Sequence, residues 1–259
     1  MIREESAVTV EEISFGYERR KIFSGLSIDI GKGDFCTILG PNGSGKTTLM
    51  KCISGLLVPN EGQITLFGKP LAEYSIREKA RRVAYVPQSQ SFVFDISVFE
   101  YVMMGRNPYQ KPWETGTKAD REVVEETLRC CNILKYRDTS LQSLSGGELQ
   151  RAMVARAIAQ DTDIILLDEP LSNIDITHKF EIMDILRAMN ASRGVTVITI
   201  LHDLTIASHY SKQILFMKEG EILAYGDKDA VFDERNVRKC FDLGSRYAVE
   251  KSGFVYLSE

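Results

Sequence analysis

The stretch Gly40–Thr48, "GPNGSGKTT", decides how the rest of the chain is read. A short apolar run, Asp34–Gly40 "DFCTILG", leads into it, and "KTTLMKCISGLL" follows with apolar residues at helical spacing. Strand, glycine turn and helix form the context in which G-x-x-x-x-G-K-[ST] has a physical meaning. Gly43 and Gly45 let the backbone pass close to phosphate, so that its N–H groups can cradle the oxygens. Lys46 reaches the outer phosphates as a point charge, and Thr47 offers a hydroxyl to Mg²⁺. Gly40, Pro41, Asn42, Gly43, Ser44, Gly45, Lys46, Thr47 and Thr48 are therefore the candidate nucleotide cradle.

Outward from this loop, other buried strands end on polar chemistry. "RRVAYVPQ" stops at Pro87 and presents Gln88; "DIILLDEP" presents Asp168 and Glu169; "VTVITILHD" presents His202. In open parallel sheets, ligands bind beyond the carboxyl ends of strands, so these ends are expected to converge on one site. Two adjacent carboxylates at the end of a buried strand are costly without a cation nearby. Asp168 fits the Mg²⁺-supporting carboxylate, and Glu169 is placed to orient and deprotonate an attacking water. His202 is a candidate γ-phosphate donor, whereas His178 and His209 read as structural.

Leu144–Ala152, "LSGGELQRA", opens a helix with Ser145 and Glu148 in capping-box spacing. The box accounts for Ser145 and Glu148 but not for Gly146 and Gly147, since glycine in a helix costs up to about 1 kcal/mol relative to alanine. Two glycines in a first turn fit a ligand approaching the backbone at a helix start that favours anions. The first cradle already covers one face of a triphosphate, so this second nest is expected to cover the opposite face, from another copy of the chain.

The remaining text fits an ordinary globular chain of 259 residues, 44% hydrophobic and 26% charged. A net charge of −4 advertises no nucleic acid. No apolar run approaches the roughly 18 residues of a membrane span, and "MIREESAVTVEE" lacks a signal-peptide core. Five cysteines without C-x-x-C spacing read as reduced thiols. "AVTVEEISF" and "SGLSIDI" read as strands, Ser97 to about Gln160 as helices interrupted by a loop at "GRNPYQKPWETGTK", and "SRYAVEKSGFVYLS" as a hairpin turning at Lys251–Gly253. Phe92, Phe94, Val98 and Tyr101 lie near the joint after Gln88; each alone reads as core, and an exposed cluster would be a docking face.

Taken together, these motifs resemble the ATPase subunits of ABC transporters over nearly the whole chain. "GPNGSGKTT" looks like their Walker A, "IILLDEP" like Walker B, "LSGGE" like the signature, and "SNID" up to Asp175 like the D-loop. Tyr17 in "FGY" looks like the aromatic that stacks on adenine, Gln88 like the Q-loop glutamine, which also serves the metal, and His202 like the switch histidine. Leu171 and Asn173 depart from the more usual Thr and Ala of "DEPTSALD". The resemblance implies an α/β fold: a P-loop NTPase core, a small antiparallel β portion and a helical insertion carrying the signature. Residues 1–90 would hold the first part of the core with the β portion, 91–159 the insertion, 160–235 the rest of the core, and 236–259 a hairpin extension. It further implies ATP and Mg²⁺ as ligands and a head-to-tail dimer with a second copy. The other expected partners are multi-span permease subunits and, indirectly, a substrate-binding protein, at the cytoplasmic face of the membrane. "FDISVFEYVMMGRNPY", "DITHKFEIMDILRAMN", "LHDLTIASHYSKQI" and the end after "CFDLG" resemble ATPases of iron–siderophore, haem or cobalamin importers. The alternatives are a zinc or manganese importer and a soluble ABC ATPase outside transport.

Overall fold

The computed structural model describes residues 6–18, 20–88, 94–111, 113, 116–172, 174–244 and 247–257. Phe92 and Asn173 lie outside them. The strands in chain order are β1 (Ser6–Tyr17), β2 (Arg20–Gly31), β3 (Phe35–Leu39), β4 (Glu61–Leu66), β5 (Lys69–Pro70), β6 (Val83–Val86), β7 (Ile164–Asp168), β8 (Thr196–Ile200), β9 (Gln213–Lys218), β10 (Glu221–Asp227), β11 (Tyr247–Val249) and β12 (Val255–Leu257). The helices are α1 (Lys46–Ile53), α2 (Ile76–Arg82), α3 (Val98–Met103), α4 (Lys118–Cys130), α5 (Gly146–Ala159), α6 (Ile176–Arg193), α7 (Leu204–Tyr210), α8 (Lys228–Val231) and α9 (Glu234–Phe241). They fall into two compact units, residues 1–74 with 196–259, and residues 75–195. The chain is α/β, the class the sequence announced.

The first unit holds an antiparallel sheet in the order β2-β1-β4-β5 and the strands β10-β9-β3-β8. β3 runs parallel to β8, pairing Ile38 with Ile200, and parallel to β9, pairing Leu39 with Phe216. Every residue of β3 and β8 is buried, which explains their unbroken apolar text. Asp34, 1% exposed, caps the entry to β3 by accepting from the Gly31 N–H at 3.0 Å and pairing with Lys212 at 2.8 Å. Helix α1 ends at Ile53, short of the "SGLL" that the apolar pattern had included. Gly55, at φ 74°, turns the chain out while Leu56 N–H donates to the Lys51 carbonyl. The hairpin β9–β10 was not read from the sequence. Its two-residue turn, Glu219–Gly220, has positive φ at both positions, the type I′ geometry that suits twisted strands. β11 and β12 form an antiparallel pair, Tyr247 opposite Leu257 and Val249 opposite Val255.

The second unit packs helices around α5 and the parallel pair β6–β7, with Val86 opposite Leu167. Along α5, Ala152 to Ala155 and Ala157 to Ala159 are all buried, so this is a central helix and not a surface one. Capping boxes start α2 (Ser75, Glu78), α3 (Ser97, Glu100), α4 (Thr117, Asp120) and α5 (Ser145, Glu148). Part of the expected loop "GRNPYQKPWETGTK" is ordered otherwise: Met104–Tyr109 is a 3₁₀ helix. Gly105 lies so near α5 that a Cβ there would meet the Arg156 carbonyl at 2.4 Å, and Arg106 turns inward. The Arg106 guanidinium donates to Asp120 at 2.9 Å and to the Ala159 carbonyl at 2.8 Å, and it lies over the Tyr109 ring at 4.2 Å. Val98 and Tyr101 are core residues, while Phe94 is 78% exposed.

All five cysteines are free; Cys36, Cys52, Cys131 and Cys240 are buried and Cys130 is exposed, and burial pushes Cys52 and Cys240 up to about 11. No helix among the described residues is long and apolar enough to cross a membrane.

The Arg106–Asp120 pair sets an expectation for stability. Both side chains are about nine-tenths buried, so Arg106→Met leaves a carboxylate without its cation. A loss of about 3–5 kcal/mol is expected, read as a lower urea midpoint by far-ultraviolet circular dichroism. A midpoint equal to wild type would show that the pair holds nothing together.

Candidate active site

In the first unit the cradle grows out of β3. Gly45, at φ 99°, is the residue before α1 and takes a left-handed conformation that side chains resist. Lys46 is 5% exposed, and its ammonium donates to the carbonyls of Gly40 at 2.9 Å and Pro41 at 2.8 Å. The lysine is thus folded back over its own loop. The Ser44 hydroxyl is buried and has no hydrogen-bond partner, a cost that a phosphate oxygen would relieve. A Cβ on Gly45 would touch Phe23 at 3.4 Å; Phe23 packs on Phe15, and Phe15 holds Tyr17 edge-on at 5.0 Å. Two ring contacts therefore link the cradle to Tyr17, which is half exposed and available to a flat ligand. Pro41 is half-buried and Asn42 exposed beside it.

His202 stands beyond the end of β8, next to β3. The Leu201 N–H donates to the Ile38 carbonyl at 3.3 Å, so His202 and Gly40 leave adjacent parallel strands at the same end. The imidazole is exposed. Of the two histidines read as structural, His209 meets Tyr210 edge-on at 4.8 Å.

In the second unit, β6 and β7 present Gln88 and the carboxylates at one end. The Gln88 amide donates to Glu169 at 2.6 Å, and the Ser172 hydroxyl donates to the same oxygen at 3.2 Å. Glu169 sits at φ 50°, an uncommon conformation for a residue with a side chain and the sort of strain found at functional positions. Asp168 is 1% exposed and accepts from the Tyr85 hydroxyl at 3.1 Å. Burial first, and then the Asp168 charge, push the Tyr85 phenol up, so it stays a neutral donor. Tyr85 was absent from the sequence reading. Its signal was the spacing: it pairs with Leu166, two residues before Asp168, on a parallel neighbour. Leu171 is buried.

The start of α5 lies in this unit too. The Ser145 hydroxyl accepts from the Glu148 N–H, and Glu148 accepts from the Ser145 N–H at 2.8 Å. Gly147 has a local cause that the sequence did not reveal: a Cβ there would meet His178 Cδ2 at 2.6 Å. His178 in turn contacts Glu181 through Nδ1 at 2.9 Å, and its backbone N–H donates to Asp175, the cap of α6, at 3.1 Å. His178 thus meets Gly147 with its ring and Asp175 with its backbone.

The residues fit the ligands expected from the sequence. The lone Ser44 hydroxyl, the wrapped loop and Lys46 suit a polyphosphate. In the first unit Thr47 offers a hydroxyl, and in the second Gln88 and Asp168 are oxygen donors with a single charge between them. No group of three or more His, Cys, Asp or Glu side chains gathers to hold a metal among the described residues. That sparse set suits Mg²⁺, which keeps waters and takes one or two carboxylates with substrate phosphates.

Comparisons with known proteins agree. The family described as ABC transporter matches residues 23–172. The ferric enterobactin transport ATP-binding protein of Escherichia coli is 34% identical over 90% of this chain and 86% of its own length. The petrobactin import ATP-binding protein of Bacillus anthracis is 34% identical, covering 92% and 88%. The iron(3+)-hydroxamate import ATP-binding protein of Bacillus subtilis is 30% identical, covering 95% and 91%. A solved ATP-binding cassette of an ABC transporter, in its ADP conformation, superposes with a TM-score of 0.79 at 25% identity, covering 90% of this chain and 97% of that one. The chain belongs to the ABC transporter family. It is an ATP-binding, ATP-hydrolysing member of it.

Glu148 supplies a test of the α5 start. The Tyr136 hydroxyl first, then the Ser145 hydroxyl and N–H, hold its carboxyl at about 2, against an ordinary value of 4.5. A depressed folded-state pKa contributes stability that is fully present above about pH 4.5 and is lost as pH falls through about 2. Urea midpoints measured across this range should fall with acid in the wild type and less steeply in Glu148→Gln. Equal slopes would contradict the anchored carboxylate.

Proposed function

We propose that this chain drives an importer for iron–siderophore complexes, at the cytoplasmic face of a membrane whose spanning subunits are separate chains. Relatives named for ferric enterobactin transport, petrobactin import and iron(3+)-hydroxamate import, each matched over most of both chains, support the cargo. Haem and cobalamin are the neighbouring cargoes within the same resemblance. The observation that supports the chemistry is Glu169 at φ 50° with Gln88 at 2.6 Å: a carboxylate held off a buried strand and aimed by an amide.

In this reading Tyr17 stacks on the adenine, and the N–H groups of Gly40–Thr48 with Lys46 take the phosphates. Thr47, Asp168 and Gln88 would hold Mg²⁺, whose charge would offset that of the outer phosphate oxygens. Glu169 accepts the proton of the attacking water, and His202 donates to the γ-phosphate. Ser145, Gly146, Gly147 and Glu148 serve the nucleotide of a second copy, and Asp175 lies at that contact. The capped start of α5 brings N–H donors and a positive dipole end to it.

Lys46→Ala should lose ATP hydrolysis, and Tyr17→Ala should weaken nucleotide binding by about 1–3 kcal/mol, the usual worth of one stacked base. Normal turnover in the lysine variant would refute the cradle. Glu169→Gln keeps the shape and removes the base, so the dimer should accumulate with Mg-ATP, read by light scattering. A monomer with bound ATP would sink the role given to Gly146 and Gly147. For the cargo, a deletion strain should lose ferric-siderophore uptake. Intact uptake of siderophore, haem and cobalamin, with zinc or manganese uptake lost, would overturn the cargo and leave the ATPase standing.

A further inference from the structure

The C-terminal hairpin has no part in the chemistry above, yet it touches the machinery at one place. Its strands are three residues each, too short to be stable alone, so its position comes from what it leans on. One support is α9. Arg238 donates to the carbonyl of Gly244 at 2.6 Å and to that of Tyr247. The other support is α7. At the turn, Gly253 is buried although Lys251, Ser252 and Phe254 around it are exposed. It sits at φ +84°, and a Cβ there would lie 2.3 Å from the Leu204 carbonyl oxygen and 2.7 Å from the Thr205 nitrogen. The Ser208 hydroxyl, one turn further along α7, donates to the Lys251 carbonyl at 2.6 Å.

Leu204 is two residues beyond His202. Helix α7 is fixed at its far end to β3, through Ser211 to Thr37 at 2.6 Å and the Lys212 N–H to the Phe35 carbonyl at 2.9 Å. Its first turn is held by the Asp203 side chain, which caps Thr205 and Ile206, and by the hairpin turn pressed onto Leu204. Helix α7 is thus held by β3 at its far end and by the hairpin turn at its first turn, and His202 lies two residues before its first residue.

We propose that the hairpin is a positioning element for His202: Gly253 and Ser208 set the first turn of α7 and hence the direction in which the imidazole leaves β8. The coupling is reciprocal, so whatever orders His202 also tightens the seat of the hairpin. The effect on rate rests on the role proposed for His202; the effect on its position does not.

The chain has three histidines, so imidazole proton resonances resolve them, with His178→Gln and His209→Gln giving the assignment. Gly253→Val should unseat the turn. Expected are a shifted or broadened His202 resonance without nucleotide, an unmoved His178 resonance, an unchanged KM for ATP, and a kcat lower by about tenfold or more, as for a displaced catalytic group. Ser208→Ala removes one hydrogen bond without adding bulk and should move the same observables less. It keeps the test open if the valine variant does not fold. A His202 resonance identical to wild type in folded Ser208→Ala, or a lowered unfolding midpoint with His202 and kcat unmoved, would overturn the proposal. A moved resonance with unchanged kcat would leave the positioning intact and strike at the catalytic role of His202 instead.

Discussion

Strands buried along their whole length can carry no chemistry except at their ends. β3, β7 and β8 have no exposed residue, so every polar function they support must wait until the chain leaves the sheet. In one unit the parallel pairing of β3 with β8 brings Gly40 and His202 out at the same end. In the other, β6 with β7 does the same for Gln88 and the two carboxylates. In each unit the direction of the strands decides where these candidate groups emerge, and the residues just past each end decide which groups they are.

Those residues are constrained before any ligand arrives. Lys46 is spent on the carbonyls of its own loop, Asp168 on Tyr85, and Glu169 on Gln88 and Ser172. For Lys46 and Asp168 the contacts fix charged groups that burial would otherwise penalise, and for Glu169 they fix the direction of a half-buried carboxylate. Within each unit, part of the cost of placing these candidate groups is therefore met in folding, the kind of preorganisation that favours reactions governed by positioning and charge.

The sequence made much of this legible, unevenly. Motifs whose residues are adjacent, such as Gly40–Thr48 or Asp168–Glu169, could be read because each is a local answer to a local demand. The α/β class was implied by the resemblance that these motifs carry, and apolar strands ending on polar loops are consistent with it. Contacts that depend on register across two strands were hidden: nothing in "VAYVPQ" alone says that Tyr85 faces Asp168. The β9–β10 hairpin was overlooked although "KEGE" held a glycine between alternating runs. The 3₁₀ turn at Met104–Tyr109 looked like loop because its text holds Gly and Pro, and tertiary contacts order it: Gly105 and Arg106 against α5, and Arg77 and Arg81 donating to the Pro108 carbonyl. The capping boxes were the reverse case, with Ser145 and Glu148 predicted from spacing and found paired.

Gly147 shows how one position can answer to two masters. Its missing side chain makes room for the His178 ring inside the same unit, whatever it also leaves open to a ligand. Volume at these two positions is thus shared, and a gain at one must be matched by a loss at the other. Among diverging relatives such a pair would covary: a bulkier residue at the helix start would persist only beside a smaller one in place of the imidazole. A covariation signal between the two would then report side-chain crowding within a single chain, even though the glycine belongs to a motif usually read as facing another copy.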